Sequence, residues 1–566
     1  MNQAQTEYHR WLQDSAIDEE TKRELRAIAD QPQEIEDRFY RELQFGTGGL
    51  RGVIGAGSNR INRYTVGKAT QGLAQYLLNK YKHRPISAVI AHDSRHMSPE
   101  FALETALVLA ANGVKAFLFD SLRPTPELSF AVRHLGCTAG VVITASHNPP
   151  EYNGYKVYDE NGCQLVPRLA EEVIAEIRGI ADFSRIKKIA KEEAEKTGLL
   201  VWIGQEVDKA FVNAVCAASP LGERIHGLAS DVGIIYTPLH GSGNLAVRAA
   251  LKQNGFTQVT VVKEQELPDP DFSTVKSPNP EETAAFTLAI ELAKKTGADI
   301  IIGTDPDCDR MGAVVKTKAG EYAILTGNQA GAIMIRYMLE ALREHNRLPQ
   351  NGVVVKTIVT SELGAEIARR AGLPIVDTLT GFKYIGEKIT QFEQSKEKQF
   401  LFGYEESYGY LGGTYARDKD AVFASLLICE ACAYYKAKGQ TLHDVLEELY
   451  AEYGAYKEKL VSRTLKGKDG VAKITAIMDD FRKQPPTEAG GVKVVEMRDY
   501  AGGLDGLPPE NVLKFILADK SWFCLRPSGT EPKIKLYFSV NKKTEQESDQ
   551  ALEQLVNEIC ARIDAH

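Results

Sequence analysis

A chain of 566 residues is too long for one hydrophobic core and predicts about three to five domains. Its 43% hydrophobic and 25% charged residues are the balance of an ordinary soluble globular protein, and a formal net charge of -8 argues against a general nucleic-acid surface. If the ligand is an anion, the cations that serve it must be concentrated locally.

The opening residues Met1 to Glu7 lack the basic and apolar regions of a signal peptide, and no stretch approaches an uncharged membrane span. Eight scattered cysteines fit reduced thiols, and the close pair Cys429 and Cys432 sits inside a helical pattern that packing explains. The expectation is a cytoplasmic protein with neither a membrane nor a nucleic-acid partner.

Residues 1 to about 40 read as helices, with Leu25 and Ile28 at helical spacing. The loop Gly46-Thr47-Gly48-Gly49-Leu50-Arg51-Gly52 follows, in which glycines allow close backbone approach and Arg51 offers a fixed fork for an oxyanion. Its spacing fits neither the dinucleotide fingerprint nor the nucleotide phosphate loop. From Ser87 to Ile143 strands alternate with helices, and Ser98-Pro99-Glu100 looks like a serine-capped helix start. The alternation returns around Val232 to Ile302 and again around Val353 to Phe402, which predicts three α/β units with mixed, mostly parallel sheets. Beyond Gly454 short strands, glycine-rich connections and a closing amphipathic helix predict a smaller α+β unit. The expected divisions are 1–207, 208–324, 325–455 and 456–566.

Four polar segments carry chemistry. Thr144-Ala145-Ser146-His147-Asn148-Pro149 follows the buried strand pattern Gly140 to Ile143, and Pro149-Pro150 forbids helix, so the Ser146 hydroxyl is presented from a stiff loop at a strand's end. Asp305-Pro306-Asp307-Cys308-Asp309-Arg310 gathers three carboxylates; if the chain leaves the strand at Ile302 still extended, residues two apart share a face and the three converge. Such crowding needs a cation, and all-oxygen ligation selects a hard ion such as Mg²⁺. A calcium EF-hand loop starting at Asp305 is excluded, because its sixth position is Arg310 and its twelfth Lys316. Gly403-Tyr404-Glu405-Glu406-Ser407 offers acceptors and a hydroxyl to a sugar. Arg526-Pro527-Ser528-Gly529-Thr530-Glu531-Pro532-Lys533 holds a guanidinium, hydroxyls and a glycine, an inventory for a phosphate.

Together and in this order the four segments resemble the signature loops of the α-D-phosphohexomutases, with the strongest likeness to the branch that contains phosphoglucomutases and phosphopentomutases. The resemblance covers nearly the whole chain and implies four domains around one central cleft. It implies that Ser146 carries a phosphoryl group and shares Mg²⁺ with Asp305, Asp307 and Asp309, while Arg51 and Arg310 steady the transferring group. His147 and Lys156 become candidates for proton transfer. Arg526, Ser528, Gly529, Thr530 and Lys535 would hold the phosphate that is not reacting; Glu405 and Ser407 would grip ring hydroxyls, assisted by a further sugar loop, Thr380-Gly381-Phe382-Lys383.

The implied reaction interconverts glucose 1-phosphate and glucose 6-phosphate through a bisphosphate that reorients, with glucose 1,6-bisphosphate as activator and a monomer or weak homodimer as the working form. A pentose or mannose phosphate is the alternative substrate. A phosphatase and a non-catalytic sugar-phosphate sensor are the readings from other classes. One departure stands out: some bacterial members carry a histidine two residues beyond the sugar-loop serine, where this chain has Gly409, and Lys419 is the substitute considered for proton transfer.

Overall fold

Three amphipathic helices, Gln3–Gln13, Glu19–Ala27 and Pro32–Phe39, begin the fold. Their apolar stripes bury Trp11, Leu25 and Phe39 against Tyr64 and Phe183 of the unit that follows. The structure, a computed structural model, describes residues 2–46, 49–465, 470–528 and 533–566.

The first α/β unit is a six-stranded sheet in the spatial order Leu50–Val53, Tyr152–Tyr158, Ala139–Ile143, Ser87–His92, Lys115–Phe119 and Leu200–Ile203. The last four strands pair in parallel and the first two join antiparallel. Ala139–Ile143 is buried along its whole length, as a central parallel strand must be, which explains its unbroken apolar run. Two expectations change here. Arg51 lies within the edge strand Leu50–Val53, because that segment pairs with Tyr152–Tyr158. The helix Ser98–Ala111 starts after Met97, which has a positive φ of 62°, and Ser98 does not cap it. Its hydroxyl donates instead to Asp93 Oδ1 at 2.7 Å, a buried carboxylate that needs donors more than the helix needs a cap.

The second unit orders its strands Tyr322–Ile324, Met311–Lys316, Ile300–Thr304, Ile234–Thr237 and Val259–Val261. The third orders Ile375–Thr378, Gly352–Thr357, Gln399–Glu405 and Gly409–Gly412. Parallel pairings outnumber antiparallel ones in the first and third units and equal them in the second. The fourth unit is wholly antiparallel, in the order Ala455–Thr464, Lys533–Lys542, Trp522–Pro527, Leu513–Leu517, Val492–Asp499 and Glu488–Ala489. Helices Gly470–Lys483 and Glu545–Asp564 pack on it around Phe481, Phe523, Phe538 and Leu555. Three α/β units with mixed sheets plus a smaller α+β unit are thus the observed architecture.

One apolar cluster runs without a break through the first three units, joining Val89 and Phe130 to Ile234 and Ile302 and onward to Met334, Phe402 and Phe423. The fourth unit has its own core and meets the third through a separate patch where Ile358, Leu379 and Tyr384 touch Tyr500, Val512, Trp522 and Tyr537. No helix among the described residues is long and apolar enough to cross a membrane.

Candidate active site

The serine, aspartate and glutamate loops all lie at the carboxyl ends of strands, after Ile143, Thr304 and Glu405, where open α/β sheets place ligands. Ser146 has a φ of 54°, in the left-handed region that residues other than glycine seldom adopt. The conformation is over-determined by Arg95. This fully buried guanidinium donates to the carbonyls of Ser146 (2.5 Å), Asn148, Pro149 (2.7 Å) and Tyr152 (3.0 Å), so it staples the loop from beneath. Asp93 balances the charge, with Oδ2 3.3 Å from Arg95 Nε. The stapled loop aims the Ser146 hydroxyl across the domain boundary, where it donates to Asp305 Oδ2 at 2.7 Å, and Ser146 Oγ lies 3.2 Å from His147 Nδ1. Burial, with Arg310 and Arg51 nearby, pushes the His147 pKa well below the usual histidine value and keeps its ring neutral.

The aspartate loop corrects the expected geometry. The chain does not continue extended beyond Thr304; it turns, with Cys308 N–H donating to the Asp305 carbonyl at 2.9 Å and Cys308 itself at a positive φ of 53°. The turn, and not strand alternation, brings carboxylate oxygens of Asp305, Asp307 and Asp309 within 4.8 Å of one another. Neighbouring units hold it in place: Thr125 Oγ1 donates to Asp307 Oδ2 (2.9 Å) and Thr125 N–H to the Asp307 carbonyl (2.8 Å), while Ala421 N–H reaches the Cys308 carbonyl (3.2 Å).

Charge in the triad is distributed unevenly. Burial, then Asp307 and Asp309, pushes the Asp305 carboxyl well above the usual range. Burial acts the same way on Asp307, but Lys156 Nζ at 2.8 Å outweighs it and holds that carboxyl low. Burial and Asp307 also oppose ionisation of Asp309, against which Lys419 (3.1 Å) and Lys156 (3.5 Å) prevail. Asp307 Oδ1 and Asp309 Oδ1 are buried and find no hydrogen-bond partner among the described residues. Two such oxygens beside a third carboxylate fit a hard divalent cation, so the triad could hold a metal ion.

Around this centre the remaining predicted residues converge from three sides. Arg51 Nη1 donates to Asn148 Oδ1 at 3.2 Å. Arg310 pairs with Glu281, and its Nε lies 3.8 Å from Asp309 Oδ1. Glu405 is buried at the end of its strand and accepts from Gly381 N–H at 2.8 Å, which ties the glutamate loop to the loop of Thr380 to Lys383. Ser407 occupies the turn of the same hairpin. Helix Phe382–Ser395 starts at Gly381, placing Phe382 and Lys383 in its first turn; the Phe382 ring lies 5.7 Å from Lys419 Nζ, and Thr380 Oγ1 is buried without a hydrogen-bond partner among the described residues. Gly409 has a spatial reason: a Cβ there would sit 2.7 Å from Lys419 Cγ and collide with Cδ, so the missing side chain is the groove through which Lys419 reaches Asp309 and Asp418.

On the fourth unit Arg526 and Lys535 face each other across adjacent strands, a like-charge pair that sheets normally avoid. Burial, then Arg526, Lys533 and Arg310, depresses the Lys535 pKa. Ser528 N–H bonds the Lys533 carbonyl at 2.7 Å; Gly529 and Thr530 lie outside the described residues. Sequence reasoning missed Arg95, Thr125 and Glu281. Arg95 was the most accessible of them, since His92-Asp93-Ser94-Arg95 is a polar run at the end of the strand Ser87–His92.

Among the described residues this constellation has a serine and counter-charges but no general-base triad, an arrangement suited to moving a phosphoryl group by positioning and charge neutralisation. Models of the phosphoglucomutase/phosphomannomutase α/β/α domains I, II and III match residues 42–183, 209–320 and 326–453, and that of the C-terminal domain matches 460–562. The phosphoglucomutase of Staphylococcus haemolyticus (strain JCSC1435) is 39% identical over 517 residues, 89% of this chain and 92% of that one. The Staphylococcus aureus (strain MRSA252) phosphoglucomutase is 39% identical over 528 residues, 90% and 92% of the two chains. The chain belongs to the phosphoglucomutase/phosphomannomutase family and is a phosphohexomutase of the isomerase class. The same fold occurs in crystal structures of pp63/parafusin from Paramecium (TM-score 0.70, 18% identity, 93% of this chain and 95% of that one) and of a family protein from Burkholderia thailandensis (TM-score 0.66, 17% identity, 92% and 97%).

Proposed function

We propose that the chain interconverts glucose 1-phosphate and glucose 6-phosphate, with glucose 1,6-bisphosphate as intermediate and activator and Ser146 as phosphoryl carrier. The carrying observation is the Ser146 hydroxyl, held on a left-handed turn 2.7 Å from Asp305 at the edge of a three-carboxylate cluster. The likeness to two phosphoglucomutases over about nine tenths of the chain supports the sugar assignment. The working lobes are 1–207, 208–324, 325–455 and 456–566.

In the phosphorylated enzyme the bond between phosphorus and Ser146 Oγ breaks as a sugar hydroxyl oxygen bonds to phosphorus, and the hydroxyl proton passes to a nearby base. His147, Lys156 and Lys419 all lie close enough to the triad to be assigned that proton; neutral His147 has an acceptor nitrogen, whereas Lys156 is kept charged against burial by Asp307 and Asp309 and serves as counter-charge. Ser146, Asp305, Asp307 and Asp309 would hold Mg²⁺, which when bound supplies charge neutralisation at the transferring group. Arg51 and Arg310 flank the same point. Arg526, Ser528, Gly529, Thr530 and Lys535 anchor the distal phosphate. Glu405, Ser407 and the Thr380-Gly381-Phe382-Lys383 loop hold the ring in either orientation, so the bisphosphate can turn and return its other phosphate to Ser146 Oγ.

The test is turnover of glucose, mannose, ribose and deoxyribose phosphates with Mg²⁺ and glucose 1,6-bisphosphate. Preference for glucose 1-phosphate, abolished by chelation and restored by Mg²⁺, is expected. Preference for a pentose phosphate, or stoichiometric release of inorganic phosphate, overturns the assignment.

A further inference from the structure

Arg526, the guanidinium of the distal phosphate site, projects from strand Trp522–Pro527 into a crowd of cations, and a partner for it comes from a segment outside all the polar loops singled out above. Glu510 Oε1 accepts a hydrogen bond from Arg526 Nε at 2.9 Å. The choice of nitrogen matters. Nε carries a single N–H, so this bond leaves the terminal nitrogens to other partners, the Tyr537 hydroxyl among them and a bidentate phosphate when one is bound.

The Glu510 backbone is itself held. Pro508-Pro509 restricts the approach, Glu510 N–H donates to the Tyr500 carbonyl at 2.9 Å, and Val512 N–H returns to the Glu510 carbonyl at 2.8 Å. On the next residue, Asn511 Oδ1 accepts from Arg482 Nη2 at 2.6 Å, and Arg482 also pairs with Asp499. A side chain mounted on so fixed a turn can orient another.

The Glu510 turn borders the seam between the third and fourth units, where Tyr500 and Val512 pack with Tyr384. Glu510 Oε2 is buried and has no hydrogen-bond partner among the described residues. Across the seam lie Tyr384 and Lys383 of the sugar loop; the Glu510 charge helps push the Tyr384 hydroxyl up to about 12, after burial, and opposes the lowering of the Lys383 pKa by burial. Glu510 thus pairs with Arg526 on its own lobe, and its charge is felt by Lys383 and Tyr384 on the other.

We propose that Glu510 is a positioning residue that fixes the Arg526 guanidinium so that its terminal nitrogens meet the distal phosphate. The inference rests on the phosphosugar reading of the cleft. It requires the acceptor oxygen, not the formal charge, to be what matters, because the geometry is set by the Nε–H bond.

Glu510→Ala and Glu510→Gln in the full-length protein separate these. Glu510→Ala should raise KM for glucose 1-phosphate about tenfold with kcat within about threefold, the scale of losing one hydrogen bond to a charged group. Glu510→Gln, which keeps an acceptor, should restore KM to within about threefold of the parent. In an Arg526→Ala background, Glu510→Ala should add no further change, since a residue acting through Arg526 has nothing left to act on. Unchanged KM in Glu510→Ala, equal damage in Glu510→Gln, or additive losses with Arg526→Ala would each overturn the proposal. Calorimetric binding of glucose 6-phosphate to the same variants needs no turnover, so failure of the positioning role is distinguishable from failure of the mutase assignment.

Discussion

Ser146, the proposed phosphoryl carrier, stores backbone strain. A residue other than glycine in the left-handed region costs about 1–2 kcal/mol, and here Arg95 stabilises the arrangement through four loop carbonyls. Ser146→Gly is therefore expected to leave thermal stability equal to or slightly above the parent, while glucose-phosphate turnover falls on the order of a thousandfold or more and intact mass no longer shows a phosphoryl group. Arg95→Met acts on stability as well. It strands the buried carboxylate of Asp93 and frees the serine loop, so urea denaturation should report a loss of about 3–5 kcal/mol.

At the scale of elements, the hairpin Gln399–Glu405 and Gly409–Gly412 decides where Lys419 goes. Gly409→Ala forces the flexible lysine aside at a stability cost of about 1 kcal/mol, but lifts it from Asp309, and steady-state assays should show turnover at least about tenfold lower. Helix Ala421–Lys436 carries a pH-dependent contact to the second unit: buried Glu430 accepts from Asn254 (2.9 Å) and Tyr337 (3.1 Å), and burial raises its pKa from 4.5 to about 7. Because the folded value exceeds the unfolded one, the stabilisation is complete below about pH 4.5 and is lost as pH rises through about 7. Glu430→Gln should remove that slope, and the parent should lose up to about 3 kcal/mol relative to it between pH 4.5 and 8 in urea titrations.

These elements also mark how much could be read from sequence. The positions of the serine and aspartate loops were legible because polar residues directly after buried strands have few structural uses, whereas Lys535 entered only through the resemblance and lies opposite Arg526 on the next strand. The turn at Asp305 to Asp309 was not, since the left-handed Cys308 has no local signature and the alternation rule points to an extended chain instead. Ser98 looked like a cap because capping is a local pattern, whereas its Asp93 partner is set by tertiary packing. Arg95 and Glu510 act at a distance, on a loop 51 residues away and a strand residue 16 away, and such pairings become visible only when the strands are assembled.

Over the whole molecule, the cores divide unevenly: one cluster spans the first three units and the fourth keeps its own. Urea unfolding followed by circular dichroism and by a fluorophore on the fourth unit should therefore give two non-coincident transitions, with residues 456–566 separable from the rest. A single coincident transition contradicts this.

The shared core also bears on how sequence change can be absorbed. The aspartate turn is braced by Thr125 from one unit and Ala421 from another, so the distances among Ser146, Asp305 and Asp309 are properties of three units at once. No one of them can drift in shape without disturbing the chemistry, whereas the fourth, tied chiefly by the patch around Tyr384 and Trp522, can vary its approach to the cleft. Adaptation to a sugar phosphate of different length should accordingly accumulate in the last lobe and its seam, leaving the catalytic floor unaltered.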